Sequence, residues 1–195
     1  EIYNKEGDVE IKQIPIPEVG KDDVLVKIKY AGVNPLDNMI IREEVKFIVP
    51  YDLPCVMGNE FSGVIEKIGS DVTEFKVGDK VYGRMPFTKI GEFAEYTAID
   101  KGAIAIIPNY LSFKEAACIP LTALTAIQAF ELMEAKSGER IFISGGTGSF
   151  GAMAIPIAKS LGLKISTSGS GSNRDRVMKL GADEFFDYRN QDYSE

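Results

Sequence analysis

The stretch that decides the fold reads Gly146-Thr147-Gly148-Ser149-Phe150-Gly151, a G-x-G-x-x-G pattern. It follows the apolar run 140–144, which is typical of a buried strand, and it opens a segment over 149–161 with helical spacing. In this position the first glycine allows a tight turn, the second lets the backbone approach a pyrophosphate, and the third lets the helix pack close to the strand. The pattern therefore predicts a dinucleotide-binding loop, with an ordinary strand-to-helix turn as the alternative.

The residues after this loop continue to alternate between strand and helix. A second strand is predicted over 164–168, then a helix over 174–180 that Asn173 caps and Gly181 ends, and a third strand around Phe185. Strand, helix, strand, helix, strand is the order of a parallel α/β sheet. Because the chain stops soon after the third strand, we expect it to be a fragment of a longer protein.

The first hundred residues have a different pattern, in which short strands are closed by glycine. The apolar residues at 24, 26 and 28 alternate with residues that form a more solvent-exposed face, which predicts a strand. Further short strands are predicted over 60–69, 79–83 and 92–99. This spacing predicts a small barrel or sandwich.

Helical patterns begin after residue 111. Ser112 and Glu115 form an S-x-x-E capping box, which predicts a helix start. Pro120 interrupts that helix, and a further helix is predicted over 122–133.

The composition narrows the chemistry. The 195 residues carry 22 Lys and Arg against 29 Asp and Glu, a net charge of −7, which disfavours binding to nucleic acid or to acidic membranes. Histidine is absent, so Ser-His and Cys-His catalysis and a His-ligated zinc are excluded. Cys55 and Cys118 form no CxxC pair. With no spanning segment and no leader pattern, we expect a cytoplasmic protein whose chemistry depends on a cofactor or on Tyr, Lys, Asp and Glu.

The end of the second predicted strand bears on the choice of nicotinamide cofactor. About 20 residues beyond the glycine loop, an NAD site places Asp or Glu against the ribose hydroxyls. Here the sequence has Ser168 and Gly169, a neutral stretch to Asn173, and then Arg174. Hydroxyls and a guanidinium suit the extra phosphate of NADPH, which a carboxylate would repel. We therefore predict NADPH with Arg174 as a ligand; a solvated arginine is the alternative for that residue.

Further motifs occur in a fixed order along the chain. They are Gly32-Val33-Asn34-Pro35-Leu36-Asp37, Gly58-Asn59-Glu60-Phe61-Ser62-Gly63-Val64, Val77-Gly78-Asp79-Lys80-Val81-Tyr82-Gly83, the stretch 116–126, and Leu180-Gly181-Ala182-Asp183. With the glycine loop, they make the chain similar over essentially its whole length to the medium-chain dehydrogenase/reductase superfamily, in its zinc-independent quinone oxidoreductase branch, which includes zeta-crystallin.

The resemblance implies a mixed α and β fold. A GroES-like β-barrel domain is expected over 1–115, and the first part of a Rossmann domain, a doubly wound α/β fold truncated at its C-terminus, over 116–195. Zinc-dependent relatives have Gly-His-Glu where this chain has Gly58-Asn59-Glu60, and a zinc-binding cysteine near Asp37. Because the imidazole and thiolate ligands are missing, we predict no bound metal.

The resemblance also nominates site residues, each with a structural alternative. Asn34 is expected to face the nicotinamide and position ribose or substrate, or else to cap a turn. Thr122 and Thr125 lie in a helix that the family packs beside the nicotinamide, or else fill the core. Tyr188 matches a family tyrosine near the adenosine phosphate, or else is a strand-end aromatic. The remaining predicted cofactor contacts are Gly146, Gly148, Ser149, Phe150, Gly151, Ser168, Gly169 and Arg174.

Two more residues are weaker candidates for the chemistry itself. Asp37 is a possible polar anchor, with helix capping as the alternative. Tyr51 is the nearest candidate proton donor. The family likeness implies an NADPH-dependent reductase of quinones or α,β-unsaturated carbonyls that acts on a small molecule, binds neither nucleic acid nor membrane, and forms a homodimer. The alternative is a non-catalytic, crystallin-like NADPH-binding protein.

Overall fold

The computed structural model describes residues 2–3, 9–47, 51–52, 54–86 and 89–191. The chain divides into two compact units, Glu1–Leu121 and Thr122–Glu195. The division lies between Leu121 and Thr122, whereas the sequence analysis placed it between 115 and 116. The helix after Ser112 stays with the first unit, where the Ser62 hydroxyl donates a hydrogen bond of 2.6 Å to the Phe113 carbonyl.

Strands dominate the described residues of the first unit. They are β1 (Ile2–Tyr3), β2 (Val9–Glu10), β3 (Asp23–Ala31), β4 (Cys55–Val56), β5 (Glu60–Ile68), β6 (Lys80–Arg84), β7 (Tyr96–Asp100) and β8 (Ile104–Ile106). Two short helices accompany them, α1 (Pro35–Ile41) and α2 (Phe113–Ala116).

The first unit is organised around an antiparallel sheet. Its strand order is β7-β3-β5-β6-β8, and β2-β1-β4 form a second, smaller sheet. The predicted inward face of β3 is confirmed, because Val24 and Val26 are fully buried and pack with Phe61, Ile65 and Val81. Leu25, on the face predicted to be wetter, is also buried. This packing places the start of β5, and hence residue 60, beside the end of β3.

The second unit is an α/β layer. Its elements are α3 (Pro120–Leu132), which begins in the last residues of the first unit, β9 (Arg140–Ile143), α4 (Ser149–Ser160), β10 (Lys164–Gly169), α5 (Arg174–Leu180) and β11 (Glu184–Asp187). The strands are parallel in the order β11-β10-β9, which confirms the predicted parallel sheet. Ile143, Ile155, Ile165 and Val177 are buried between the sheet and its helices.

Two local predictions differ in part from the structure. The strand predicted over 92–99 begins only at Tyr96, because the preceding backbone bonds elsewhere, with the Phe93 N–H donating to the Met57 carbonyl at 2.7 Å. Asn173 is the N-cap residue of α5 as predicted, but its side chain makes no capping hydrogen bond, because a short 3₁₀ turn over Gly171–Asn173 leads directly into that helix. Gly181 does end α5, with a φ of 114°.

Candidate active site

The loop between β9 and α4 turns at a glycine. Gly145 has a φ of 68°, and its carbonyl accepts the Gly148 N–H at 2.9 Å. This hydrogen bond closes a tight turn that contains Gly146, the residue to which the sequence analysis assigned the turn, and the left-handed conformation lies one residue earlier, at Gly145. α4 begins at Ser149, with Gly148 as its N-cap.

Gly146 and Gly151 are required by close packing. A Cβ at residue 146 would overlap Oγ1 of Thr167 on β10. A Cβ at residue 151 would overlap the backbone of Gly146, so the first turn of α4 packs directly on the loop. The lack of a side chain at these two glycines therefore lets α4, the loop and β10 pack closely.

Gly148 has a different environment. The nearest atom that a Cβ there would meet is the Gly145 carbonyl oxygen, at an ordinary contact distance of 3.4 Å. Ser149 and Phe150, which follow it, are exposed in the first turn of α4, where the N–H groups have no carbonyl one turn earlier. An open backbone at a helix N-terminus fits a pyrophosphate, because its N–H groups and the helix dipole both favour an anion.

Residues at the end of β10 hydrogen-bond or pack against the glycine loop. The Thr167 hydroxyl donates to the Ile143 carbonyl at 2.5 Å. Ser168 is 2% exposed, its carbonyl accepts the Gly146 N–H at 2.9 Å, and its hydroxyl accepts the Gly145 N–H at 3.3 Å. Ser168 therefore shapes the loop, and its direct contact with a cofactor stays a prediction.

Gly169 and Tyr188 meet at the ends of β10 and β11. The Tyr188 N–H donates to the Gly169 carbonyl at 3.3 Å, and a Cβ at residue 169 would overlap Thr147 of the glycine loop. Tyr188 is half exposed, with the Arg189 guanidinium 5.7 Å from its ring centroid. Arg174 is exposed at the first position of α5.

Asp187 is a carboxylate in this region that the sequence analysis did not consider. Hydrogen bonds from the Arg189 N–H at 3.1 Å and from Asn190 Nδ2 at 2.8 Å hold its pKa below the ordinary value. A Cβ at Gly171 would overlap its Oδ2. The carboxylate near the end of β10 therefore belongs to Asp187 on β11, and it already accepts hydrogen bonds from Arg189 and Asn190, which follow it in the chain.

In the first unit, one chain of hydrogen bonds joins Asn34, Asp37, Asn59 and Glu60. Asn34 is the N-cap residue of α1, and its Nδ2 donates to Glu60 Oε1 at 2.8 Å. Its backbone N–H donates to Asp37 Oδ2 at 2.7 Å, and Asn59 Nδ2 donates to Asp37 Oδ1 at 2.8 Å. The Leu121 N–H completes the chain by donating to Glu60 Oε2 at 2.8 Å.

Both acidic members of this network are buried. Glu60 is 2% and Asp37 3% exposed. Burial raises the pKa of each carboxyl above its ordinary value, and the hydrogen bonds from their amide partners oppose that shift. The N-cap residue of α1 is Asn34 and not Asp37, the residue for which capping was the alternative; Asp37 is instead the third residue of the helix, and its carboxylate accepts the N–H of the N-cap residue.

Glu92 is a neighbour of this network that the sequence analysis missed. It is fully buried, and burial raises its pKa well above the ordinary value, with the charge of Asp37 acting in the same direction. Its Oε2 accepts the Gly91 N–H at 3.1 Å. Among the described residues, Glu92 Oε1 and Asn59 Oδ1 are buried acceptors without a hydrogen-bond donor.

The remaining nominated residues are Tyr51, Thr122 and Thr125. The Tyr51 hydroxyl donates to the Ile40 carbonyl at 2.8 Å and so anchors the end of α1. Thr122 and Thr125 are three residues apart on α3, in the second unit, and therefore share a face of that helix. The part of the chain that the structure describes contains no cluster of three or more His, Cys, Asp or Glu side chains arranged to hold a metal ion.

Comparison with known proteins gives the family. The alcohol dehydrogenase GroES-like domain family matches residues 20–121, which is more than half of the chain. The chain belongs to the medium-chain dehydrogenase/reductase superfamily, in its zinc-independent quinone oxidoreductase branch. The predicted family and the predicted combination of a GroES-like domain with part of a Rossmann domain are confirmed.

Two curated relatives and one solved structure illustrate the likeness to this branch. A 2-methylene-furan-3-one reductase from Solanum lycopersicum is 34% identical over 206 residues, covering 99% of this chain and 53% of the relative. An NADPH-dependent alkenal/one oxidoreductase, chloroplastic, from Arabidopsis thaliana is 32% identical, covering 96% and 51%. The Escherichia coli quinone oxidoreductase complexed with NADPH is 28% identical with a TM-score of 0.78, covering 93% and 55%.

The chain thus spans about half the length of the medium-chain dehydrogenase/reductase proteins it matches. Within that half it carries both the GroES-like strands with the Asn34 network and the glycine loop of the Rossmann part. No helix in the described residues has the length and apolar character needed to cross a bilayer.

Proposed function

We propose that the natural protein carrying this sequence is an NADPH-dependent, zinc-independent reductase that transfers a hydride to a quinone or an α,β-unsaturated carbonyl. The observation that carries the proposal is the open backbone at Gly148, at the N-terminus of α4. The residues beside it fit a dinucleotide pyrophosphate, and β10 ends without a carboxylate.

The chain's own residues have distinct tasks in this proposal. Gly148 and the N–H groups of Ser149 and Phe150 hold the pyrophosphate, while Gly146, Gly151 and Ser168 keep the loop in shape. NADPH, when bound, supplies the hydride. The protein contributes binding and orientation, and it excludes competing reactions.

The preference for NADPH over NADH rests on the residues after β10. Ser170 and Ser172 hydroxyls lie 3.2 Å apart, and Arg174 is exposed at the start of α5. A guanidinium and hydroxyls suit a phosphate dianion. The names of a relative and of a matched structure, which specify NADPH, support the same choice.

The substrate class follows from the side chains that can stabilise developing charge. A saturated ketone requires strong polarisation of its oxygen, which zinc supplies in metal-dependent relatives. This sequence has no histidine, and Asp37 and Asn59 stand where those relatives have their cysteine and histidine ligands. A quinone or enone delocalises the incoming charge and needs only hydrogen-bond donors.

Asn34 is the residue we assign to position the nicotinamide end of the cofactor or the substrate. It is partly exposed, at the N-terminus of α1, and its side chain is held by Glu60. The proton that completes the reduction comes from water or a nearby hydroxyl. The Tyr51 hydroxyl is engaged with the Ile40 carbonyl, so we do not assign the proton to it.

The experiment is a substrate panel with the whole natural protein. NADPH consumption is measured with quinones, enones, saturated ketones and alcohols. We expect turnover of quinones or enones and far slower reaction of saturated ketones. Tight NADPH binding with no turnover of any member would favour the non-catalytic binding protein instead.

We further propose that the protein acts as a homodimer in the cytoplasm. Both cysteines are free, which suits a reducing compartment. The homodimer follows from the resemblance to the zinc-independent quinone oxidoreductase branch. Analytical ultracentrifugation tests the dimer, and cell fractionation that includes plastids tests the location.

A further inference from the structure

Glu60 is a buried carboxylate whose two oxygens have different partners. Oε2 accepts the Leu121 N–H and Oε1 accepts Asn34 Nδ2, both at 2.8 Å. The two donors are far from Glu60 in sequence and belong to different segments of the first unit. Each oxygen of the Glu60 carboxylate is therefore held by a hydrogen bond.

Glycine at position 32 makes room for this arrangement. A Cβ at residue 32 would overlap Glu60 Oε1 and would come within 2.8 Å of the Ala117 carbonyl. The Gly32 N–H also donates to the Glu60 carbonyl at 3.0 Å. The glycine that begins the Gly-Val-Asn motif thus leaves the space in which the Glu60 side chain reaches Asn34.

An ionised carboxylate accepts hydrogen bonds and donates none. Asn34 must therefore turn its NH₂ group, and not its carbonyl oxygen, toward Glu60. The backbone of Asn34 is held by Asp37, so the side chain cannot adjust by moving the main chain. Asn34 Oδ1 accepts the backbone N–H of Asp37 in the capping box of α1, which leaves the second N–H of the amide for a ligand.

We propose that Glu60 is a positioning residue that sets which groups the Asn34 amide presents to the bound ligand. The role of Asn34 itself rests on the proposed function. With a neutral amide at position 60, the hydrogen bond between residues 34 and 60 reverses its direction. The Leu121 N–H still needs an acceptor, so the new side chain in Glu60→Gln would turn its oxygen to Leu121 and its NH₂ to Asn34. Asn34 would then turn its oxygen toward position 60 and its NH₂ group toward the ligand and the Asp37 N–H, which would lose its side-chain acceptor.

The first measurement uses the wild-type protein alone. Because rotation about an amide C–N bond is hindered, the two Nδ2 protons of Asn34 give separate NMR signals. We expect one of them, bonded to Glu60, to be shifted downfield and protected from exchange relative to the protons of Asn38, an exposed asparagine on the same helix. Equal exchange at Asn34 and Asn38 would overturn the proposal without any variant having to fold.

The second measurement separates positioning from a merely structural hydrogen bond. The variants are Glu60→Gln, the swap Asn34→Asp with Glu60→Gln, and Glu66→Gln as a control that removes an exposed carboxylate from the same strand. The swap keeps the net charge and restores a hydrogen bond between positions 34 and 60, with its direction reversed. It should therefore return the urea midpoint of unfolding toward that of wild type.

Activity should respond differently from stability. We expect Glu60→Gln to lower kcat for an enone or quinone about tenfold, as loss of roughly one hydrogen bond would. The swap should not recover kcat, because an aspartate side chain at position 34 presents no donor. NADPH affinity should change less than kcat. Recovery of kcat together with stability in the swap would show that Glu60 is only structural. If wild type turns over no quinone or enone, the proposed function fails, and the NMR comparison still tests Glu60.

Discussion

Thr167 fills the space that a side chain at Gly146 would need. Its Oγ1 lies where the Cβ of residue 146 would be and donates to the Ile143 carbonyl at 2.5 Å. One hydroxyl thus joins β9 to β10 and limits the first position of the G-x-G-x-x-G pattern to glycine. The shape of the glycine loop depends on the strand behind it as well as on its own residues.

Gly146→Ala should destabilise the protein by about 1 to 3 kcal/mol, because the new methyl group overlaps a buried side chain. Combining it with Thr167→Ala should cost less than the sum of the two single changes, since the second removes the overlapped atom. Urea unfolding of the two single variants and the double variant provides the cycle. Strict additivity would show that Thr167 is not what excludes a side chain at 146.

Gly148→Ala should affect binding more than folding. Its Cβ would meet only a carbonyl oxygen at 3.4 Å, so we expect the free energy of unfolding to change by no more than about 1 kcal/mol, the scale of an N-cap substitution. NADPH affinity should fall at least about tenfold, because the methyl group occupies the approach of the pyrophosphate. Calorimetric titration measures this affinity. Unchanged affinity would place the pyrophosphate elsewhere.

Arg174→Ala should weaken NADPH and leave NADH nearly unchanged. Loss of a charge-assisted hydrogen bond to phosphate costs about 1.5 to 3 kcal/mol. Arg176→Ala, an exposed arginine two positions along the same helix, is the matched control. Dissociation constants for both cofactors are measured on both variants. Equal losses of NADPH affinity in the two variants would show that Arg174 acts only through its positive charge at a distance and not through a hydrogen bond to the phosphate.

Glu92→Gln should stabilise the protein increasingly as the pH rises. Burial raises the folded-state pKa of Glu92 well above its ordinary value, so the folded protein holds this proton to higher pH than the unfolded chain does. The stability that the protonated Glu92 side chain contributes to the wild-type protein is fully present below the ordinary pKa of glutamate. It is lost as the pH rises through the folded-state pKa. Glutamine cannot ionise and keeps an acceptor for the Gly91 N–H.

The measurement is the free energy of unfolding between about pH 5 and pH 8, compared with Glu95→Gln, an exposed glutamate three residues further on. We expect the gain from Glu92→Gln to be larger at the alkaline end and the Glu95 variant to follow wild type. A constant difference across this range would mean that Glu92 ionises in the folded protein as it does in the unfolded chain.

The elements that sequence predicted well are those defined by local periodicity. The inward face of β3, the Ser112 capping box and the parallel β9, β10 and β11 all depend on residues close in the chain. The open glycine at 148 and the packed one at 151 also follow from their places in a short motif.

What could not be predicted depends on contacts between distant segments. Glu60 is 26 residues from Asn34 and 61 from Leu121, and only the folded sheet brings the three together. The burial of Glu92 has the same origin, since alternation over 92–99 indicated a regular strand and not a bend. Gly32 was quoted as part of a motif, yet its reason, space for Glu60, is visible only in three dimensions.

The central claim is that a quinone or an α,β-unsaturated carbonyl receives the hydride without help from a metal. Its most direct test is the position of deuterium in the product after incubation of the whole natural protein, treated with a chelator, with an enone and NADPH deuterated at the reactive carbon of the nicotinamide. Asn34 and the other donors named above can stabilise an enolate oxygen but not polarise an isolated carbonyl strongly. We predict deuterium on the β-carbon of a saturated ketone product. Deuterium on the carbonyl carbon, giving an allylic alcohol, would contradict the account.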